Sequence, residues 1–399
     1  MRFTAVLAAT ALVLSSLASA QQPERRPTFR STRELVSVDV VVRDRAGNIV
    51  RGLTAADFEI REDGRVQEIL GLSFQEISDA DRRPITSAEL LAGIEERLME
   101  PAPAAPPQPL SAADVAGRRL IVLLFDTSSM QPEQVQRAVD SASEFVAERM
   151  SPADMVAVAA VSTTLNVLVD FTSDRTAVAA ALARLGYTEG TATPPPDAST
   201  TQTDEDAAAA MDEAAADTSE LDMFNNDVRL RALRTLAETL APIEQKKAIL
   251  YFSAGMERSG QDNQVELRAA INAAVRGHVS IYPVDTRGLQ ALPPGGDATQ
   301  ASGRGQSLFS GRGVARQFSR LAASQDTLTS LAADTGGRAF TDTNDFGEAF
   351  DRVQRDMSAY YLLGYSSTNT VKDGRFRRIQ VRVKRDGVRV EARAGYFAE

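Results

Sequence analysis

The sequence predicts an α/β fold: an open, mostly parallel sheet with helices on both faces, accompanied by a small antiparallel β-sandwich built from N- and C-terminal segments. Three observations lead there. Between residues 118 and 359, short continuous apolar runs alternate with apolar stripes of helical period, the rhythm of strands buried between two helix layers. Before and after that region, apolar residues recur at every second position, as in strands with one wet face. Each flanking segment supplies only two or three strands, too few for independent stability. The two are therefore expected to pack on each other, with the α/β domain inserted between them.

Residues 1–20 read MRFTAVLAATALVLSSLASA: a basic start, an apolar run and a small-residue Ala18-Ser19-Ala20 site. This is the layout of a cleaved secretory signal, so the mature chain is expected to begin at Gln21 and to be secreted or periplasmic. No later apolar run reaches the roughly 20 residues that a membrane helix needs. The chain has no cysteine, which excludes disulfides, thiolate metal sites and a cysteine nucleophile.

The N-terminal β segment spans 34–76. Leu35, Val36, Val38, Val40 and Val42 mark its first strand, and Glu62-Asp63-Gly64 turns a hairpin between 58–60 and 66–69. Residues 77–117 follow as a predicted helix over 85–99 and a linker over 101–109 that carries five prolines and reads as extended. The α/β domain spans 118–359. Its strands are expected over 120–125, 155–161, 165–169, 248–252 and 279–284, with a short one over 338–340. Its helices are expected after residue 130 (stripe Val135, Val139, Ala142, Val146) and over 175–185, 228–240, 265–275, 314–333 and 346–359, with Asn226 or Asp227 capping the third. Two inserts, 189–222 and 288–313, are too poor in apolar residues to order well. The C-terminal β segment, 360–399, holds strands over 360–365, 376–384 and 388–392, with Arg385-Asp386-Gly387 expected to join the last two as a hairpin.

Charge narrows the function. The formal net charge is −10, but ten acidic residues and no lysine or arginine fall between Glu189 and Asp222, so the rest of the chain is near neutral. That argues against nucleic acid as a partner, which requires a basic face. One basic stretch, from Lys372 to Arg393, has its charges at alternate positions (Arg378, Arg382, Lys384). A solvated sheet face accounts for it, and an anionic glycan or membrane surface is the other reading. The single histidine, His278, falls at a helix end, where the dipole favours it. No Gly-x-Ser-x-Gly elbow occurs, and Glu257 and Asp262 lie in ordinary surface positions.

The run RRLIVLLFDTSSM ends a buried strand in the oxygen cluster Asp126, Thr127, Ser128 and Ser129. In open α/β sheets function gathers at such carboxyl ends. The cluster can hold a metal, engage a partner, or cap the following helix. Asp-x-Ser at this place resembles the start of the metal-ion-dependent adhesion site of von Willebrand factor type A domains. Five further stretches widen the likeness to nearly the whole mature chain: SVDVVVRDRAGNIVRGLTAADFEIREDG, KKAILYFSAGMERSG, IYPVDTRGL, YYLLGYSSTNTVKDGRFRRIQVRVKR and ARAGYFA. Together they resemble the VWFA-related family of secreted proteins first noted in acidobacteria.

That resemblance implies a von Willebrand type A sheet and a binding or adhesion role without known catalysis. The partner would be a protein or cell-envelope component, met by loops at the carboxyl ends of the sheet. Carried over residue by residue, the metal site keeps Asp126 and Ser128. Met130 replaces its second serine, Ala254 its later aspartate, and Thr191 or Asn226 stands in for its threonine. A thioether and a methyl are poor ligands for a hard cation, so Mg²⁺ or Mn²⁺ would bind weakly at a degenerate site. The alternatives are a structural part of an envelope assembly and a secreted hydrolase.

Overall fold

The computed structural model describes residues 35–77, 115, 117–186, 225–256, 260–289 and 312–399. The signal segment, the helix over 85–99, the proline-rich linker, the insert 189–222, most of the insert 288–313, Thr191 and Glu257 lie outside the described residues.

Five strands form the central sheet: β5 (Arg119–Asp126), β6 (Asp154–Val161), β7 (Leu165–Thr172), β8 (Lys247–Ser253) and β9 (Val279–Asp285), in the order β7-β6-β5-β8-β9. All pairings are parallel except that of the edge strand β7, which runs antiparallel to β6. Because side chains alternate along a strand, β5 feeds two cores. Ile121, Leu123 and Phe125 meet α1 (Pro132–Glu144), α2 (Arg175–Gly186) and α6 (Gly347–Ser358) on one face. Leu120, Val122 and Leu124 meet α3 (225–240), α4 (Gly260–Arg276) and α5 (Arg312–Thr335) on the other. This is why the strand reads as continuously apolar.

The two ends of the chain build one sandwich. Besides β1 (Leu35–Asp44), β2 (Phe58–Glu62), β3 (Arg65–Gln67) and β4 (Ile69–Glu76), it takes β10 (Ala359–Ser366), β11 (Phe376–Val383), β12 (Val388–Ala392) and β13 (Gly395–Phe397). One sheet runs β12-β1-β10-β4 and the other β13-β11-β2-β3, so each interleaves both ends of the sequence. Val38, Val40, Phe58, Ile60, Tyr361, Leu363 and Tyr365 fill the space between them. Inside, the Glu62 carboxylate accepts hydrogen bonds from Tyr365 (2.7 Å), Ser367 (2.6 Å) and Tyr396 (3.1 Å).

Three local expectations are corrected. Arg385-Asp386-Gly387 does not close a hairpin: β11 pairs with β2 and β13, whereas β12 pairs with β1, so the chain crosses there from one sheet to the other. The strand expected at 338–340 is reduced to a single bridge between Phe340 and Val284. Asn226 and Asp227 do not begin their helix, which already includes residue 225. The outward row Arg378, Gln380, Arg382 and Lys384 is exposed, as the alternation required.

The sandwich is tied to the α/β domain by charge. Arg43 on β1 reaches Asp356 on α6 at 3.1 Å. Asp356 also pairs with Arg352 at 2.8 Å and accepts from Tyr282 at 3.2 Å, and Arg352 reaches Glu391 on β12. Asp39 on β1 faces His278 at 3.8 Å. Burial alone would raise the Asp39 pKa, but His278, Lys246 and Arg393 around it hold it below the usual carboxylate value.

Candidate functional site

Asp126 is the last residue of β5 and has no solvent exposure. The chain turns immediately after it, with the Ser129 amide donating to the Asp126 carbonyl at 3.3 Å. The turn throws the hydroxyls of residues 128 and 129 back onto the carboxylate. Ser128 donates to Oδ1 at 2.6 Å, and Ser129 donates to Oδ2 at 2.8 Å. From β8, Tyr251 donates to Oδ2 at 2.9 Å and Ser253 at 3.0 Å. Ser129 also accepts the Ala254 amide at 3.0 Å, which ties the ends of β5 and β8 together. Burial, and then the neighbouring carboxylate, push the Tyr251 pKa well above its ordinary value, so this phenol stays a donor.

The fifth partner of Asp126 is a cation from the chain itself. Arg229 on α3 places Nε 3.1 Å from Asp126 Oδ2 and 3.1 Å from Ser128 Oγ, while its Nη1 donates to Asn226 at 2.9 Å. The guanidinium is 8% exposed. A buried carboxylate needs a compensating charge, and here an arginine provides it. The sequence reading missed Arg229, although a signal was present: it stands on the same helical stripe as Leu233, Leu236 and Leu240. A cation on a buried stripe requires a buried anion. Ser253 and Tyr251 were missed too, because strand alternation alone does not say what a buried hydroxyl faces.

The remaining expected site residues separate. Thr127 is buried and donates to the Val161 carbonyl at 3.0 Å, so it braces β6 and does not join the cluster. Ser128 and Ser129 are half-buried. Met130 is fully buried in the core beneath α1, and Ala254 packs against the same core. Capping of α1 does not fall to this cluster either. Gln131 is the N-cap residue, its amide donating to Gln134 Oε1 at 3.0 Å, with Pro132 opening the helix. For a divalent cation the described residues offer one carboxylate here, Asp126, with the hydroxyls of Ser128, Ser129 and Ser253 against it and the Asn226 side-chain oxygen held by Arg229. Among the described residues no group of three His, Cys, Asp or Glu side chains could hold a metal ion.

A second arginine–carboxylate pair stands at the same end of the sheet. Asp285, last in β9, is 1% exposed and bound by Arg287 through Nε at 2.8 Å and Nη2 at 2.7 Å. Gly255, at φ 98°, makes room for it, because a Cβ there would lie 2.6 Å from Arg287 Nη2. His278 precedes β9 and so lies at the opposite end of the parallel sheet from Asp126.

No family model and no curated protein matches the sequence. Several solved structures are similar at low identity. An aerotolerance-related membrane protein from Bacteroides fragilis with multiple mutations to serines is 12% identical with a TM-score of 0.34, over 60% of this chain and 98% of that one. The conserved hypothetical protein BatB from Bacteroides thetaiotaomicron is 15% identical with a TM-score of 0.32, over 60% and 96%. Proximal thread matrix protein 1 from the mussel byssus is 10% identical with a TM-score of 0.34, over 63% and 49%. Likeness at this level decides nothing about the site.

Proposed function

We propose that the protein is a non-enzymatic binding module of the von Willebrand factor type A kind. It engages a protein or cell-envelope partner through the loops at the carboxyl ends of the sheet, and it does so without a metal ion. The observation that carries this reading is the Arg229 guanidinium seated against Asp126 and Ser128. A hard divalent cation would have to expel it and would then find a single carboxylate among neutral side-chain oxygens, with Met130 and Ala254 contributing nothing. Asp285 is matched by Arg287 in the same way, so both of these buried carboxylates carry a counter-charge from the chain itself. Recognition then rests on shape and on Ser128, Ser129 and the adjoining loops. The absence of catalysis is supported by the lone histidine, which sits beside Asp39 at the far end of the sheet, out of reach of these serines.

Calorimetry with Mg²⁺ and Mn²⁺ tests the metal part. Wild type is expected to show no saturable heat, and a micromolar affinity in wild type would overturn it. For the binding part, partner capture from envelope extract is compared for wild type and a Ser128→Ala/Ser129→Ala double variant, each with and without EDTA. The expected outcome is a partner held by wild type regardless of EDTA and released by the double variant. A partner lost on chelation, or held equally by both proteins, would refute it.

A further inference from the structure

The three sheets have six edge strands, and an edge bares backbone groups that can pair with another chain unless something blunts it. Five of the six are blunted. β12 has five residues, two of them charged, and its Glu391 is held by Arg352 of α6. β3 and β13 have three residues each. β3 opens on Arg65, and β13 is held to α4 by the Phe397 amide, which donates to Asn272 at 3.2 Å. The free side of β9 is taken by Phe340, whose amide donates to the Pro283 carbonyl and whose carbonyl accepts the Asp285 amide, each at 2.8 Å. β7 shifts register twice against β6 and carries Asp170.

β4 is the exception. Among the described residues it pairs with β10 alone. From Gly71 to Glu76 it runs in unbroken register against Gly364 to Ala359, and it contains no proline, lysine or arginine. Its single charge, Glu76, is bound by Arg51. Its inward side chains Leu72 and Phe74 stand opposite Leu363 and Tyr361, yet both are only half-buried although they pack against the sandwich core. Leu70, two residues earlier, is 52% exposed. The sandwich is therefore left open along β4.

We propose that β4 pairs with the β4 of a second copy of this chain, antiparallel about a two-fold axis at Ser73, so that two four-stranded sheets fuse into one. Directly opposed residues of an antiparallel pair share a face, so the axis passes through a residue and not between two. At Ser73 it sets Leu72 against the partner's Phe74 and Phe74 against the partner's Leu72, two apolar pairs that cover the half-buried inner face. Ser73 meets the partner's Ser73, and Gly71 meets the partner's Gln75. An axis at Phe74 would set Leu72 against the partner's Glu76. One at Leu72 would oppose Phe74 with the partner's Leu70, the residue that the register with β10 skips. Across the Ser73 axis no like charges meet, because Glu76 is the strand's one charge. The pairing uses none of the carboxyl-end residues and is independent of the binding role proposed for them.

Sedimentation velocity on the full chain, from nanomolar to submillimolar concentration, is expected to show a monomer–dimer equilibrium. Hydrogen exchange read by mass spectrometry should find peptides covering 69–76 exchanging more slowly as the dimer fills. Ser73→Lys places two ammonium groups face to face on the axis and should weaken the dimer about tenfold or more. Ser73 is exposed, so this variant should keep the wild-type circular dichroism spectrum, and the exchange measurement on wild type decides the matter without it. Val265→Lys, the same added charge at an exposed position on α4, should dimerise as wild type does. A monomer at every concentration, a dimer without added protection of 69–76, equal dimerisation of Ser73→Lys and wild type, or an equal loss in Val265→Lys would each overturn the proposal.

Discussion

Asp126→Ala removes the one acceptor on which five donors converge: Arg229, Ser128, Ser129, Tyr251 and Ser253. If the carboxylate were only a helix cap, its loss would cost about 0.5–2 kcal/mol. The structure requires more. A guanidinium 8% exposed would be left without its counter-charge, a situation that costs about 3–5 kcal/mol when one partner of a buried pair is deleted. The Tyr251 hydroxyl, wholly buried, would lose its acceptor as well. Arg229→Met leaves the opposite orphan, a buried carboxylate still held by four hydroxyls, and should fall near the low end of that range. The double variant Asp126→Ala/Arg229→Met leaves neither charge behind and should be less destabilised than the two singles summed. Urea unfolding followed by circular dichroism measures all three. Loss of under about 2 kcal/mol in Asp126→Ala, or additivity of the two singles within about 0.5 kcal/mol, would refute the paired-charge account.

Three further outcomes are expected. Lys247 has no solvent exposure, its ammonium bonded to the Ile243 and Gln245 carbonyls, and burial lowers its pKa to about 8. Its unfolded value is about 10.4, so between those values the unfolded chain holds more protons and stability should rise with pH. Above about pH 10 the trend should reverse, because burial pushes Tyr360 and Tyr396 up to about 12 and the unfolded tyrosines ionise first. Urea midpoints across pH should show the rise in wild type and not in Lys247→Met; a flat wild-type profile would contradict it. Deleting residues 376–399 takes away the β11 partner of β2 and the β12 partner of β1, so limited proteolysis read by mass spectrometry should find new cuts within 35–76. Unchanged protection would mean that the N-terminal strands stand alone. Finally, intact mass of protein recovered from periplasm or medium should place the N-terminus at Gln21, and a full-length mass would exclude cleavage there.

The strands and helices of the α/β domain were legible because their signal is local: β5 is apolar at every position since both its faces are covered, and Val135, Val139 and Ala142 repeat at helical spacing. The sandwich was legible from an argument about insufficiency, since neither end could close a core unaided. Pairing was less accessible. Arg385-Asp386-Gly387 has the composition of a hairpin turn, but which sheet each flanking strand joins depends on partners far off in sequence. The site was half legible. The oxygens of residues 126–129 announced themselves as a run, while the cation that neutralises them comes from a helix a hundred residues later. In one dimension Arg229 is an ordinary helical arginine.

The interleaving of the two chain ends sets an order of events. β1 has no strand neighbour until β10 and β12 exist, so it must wait while the α/β domain, whose contacts are more local, takes shape. During that wait Val36, Val38, Val40 and Val42 form a β-prone apolar row of the kind that nucleates misassembly. Asp39 and Arg43 on the opposite face and Asp44 at the end of the row charge the segment, and charges so placed keep an unpaired strand from stacking on copies of itself. Two of them later become ties to the finished domain, Asp39 facing His278 and Arg43 binding Asp356. The same side chains that guard the nascent strand thus lock it in place once its neighbours arrive.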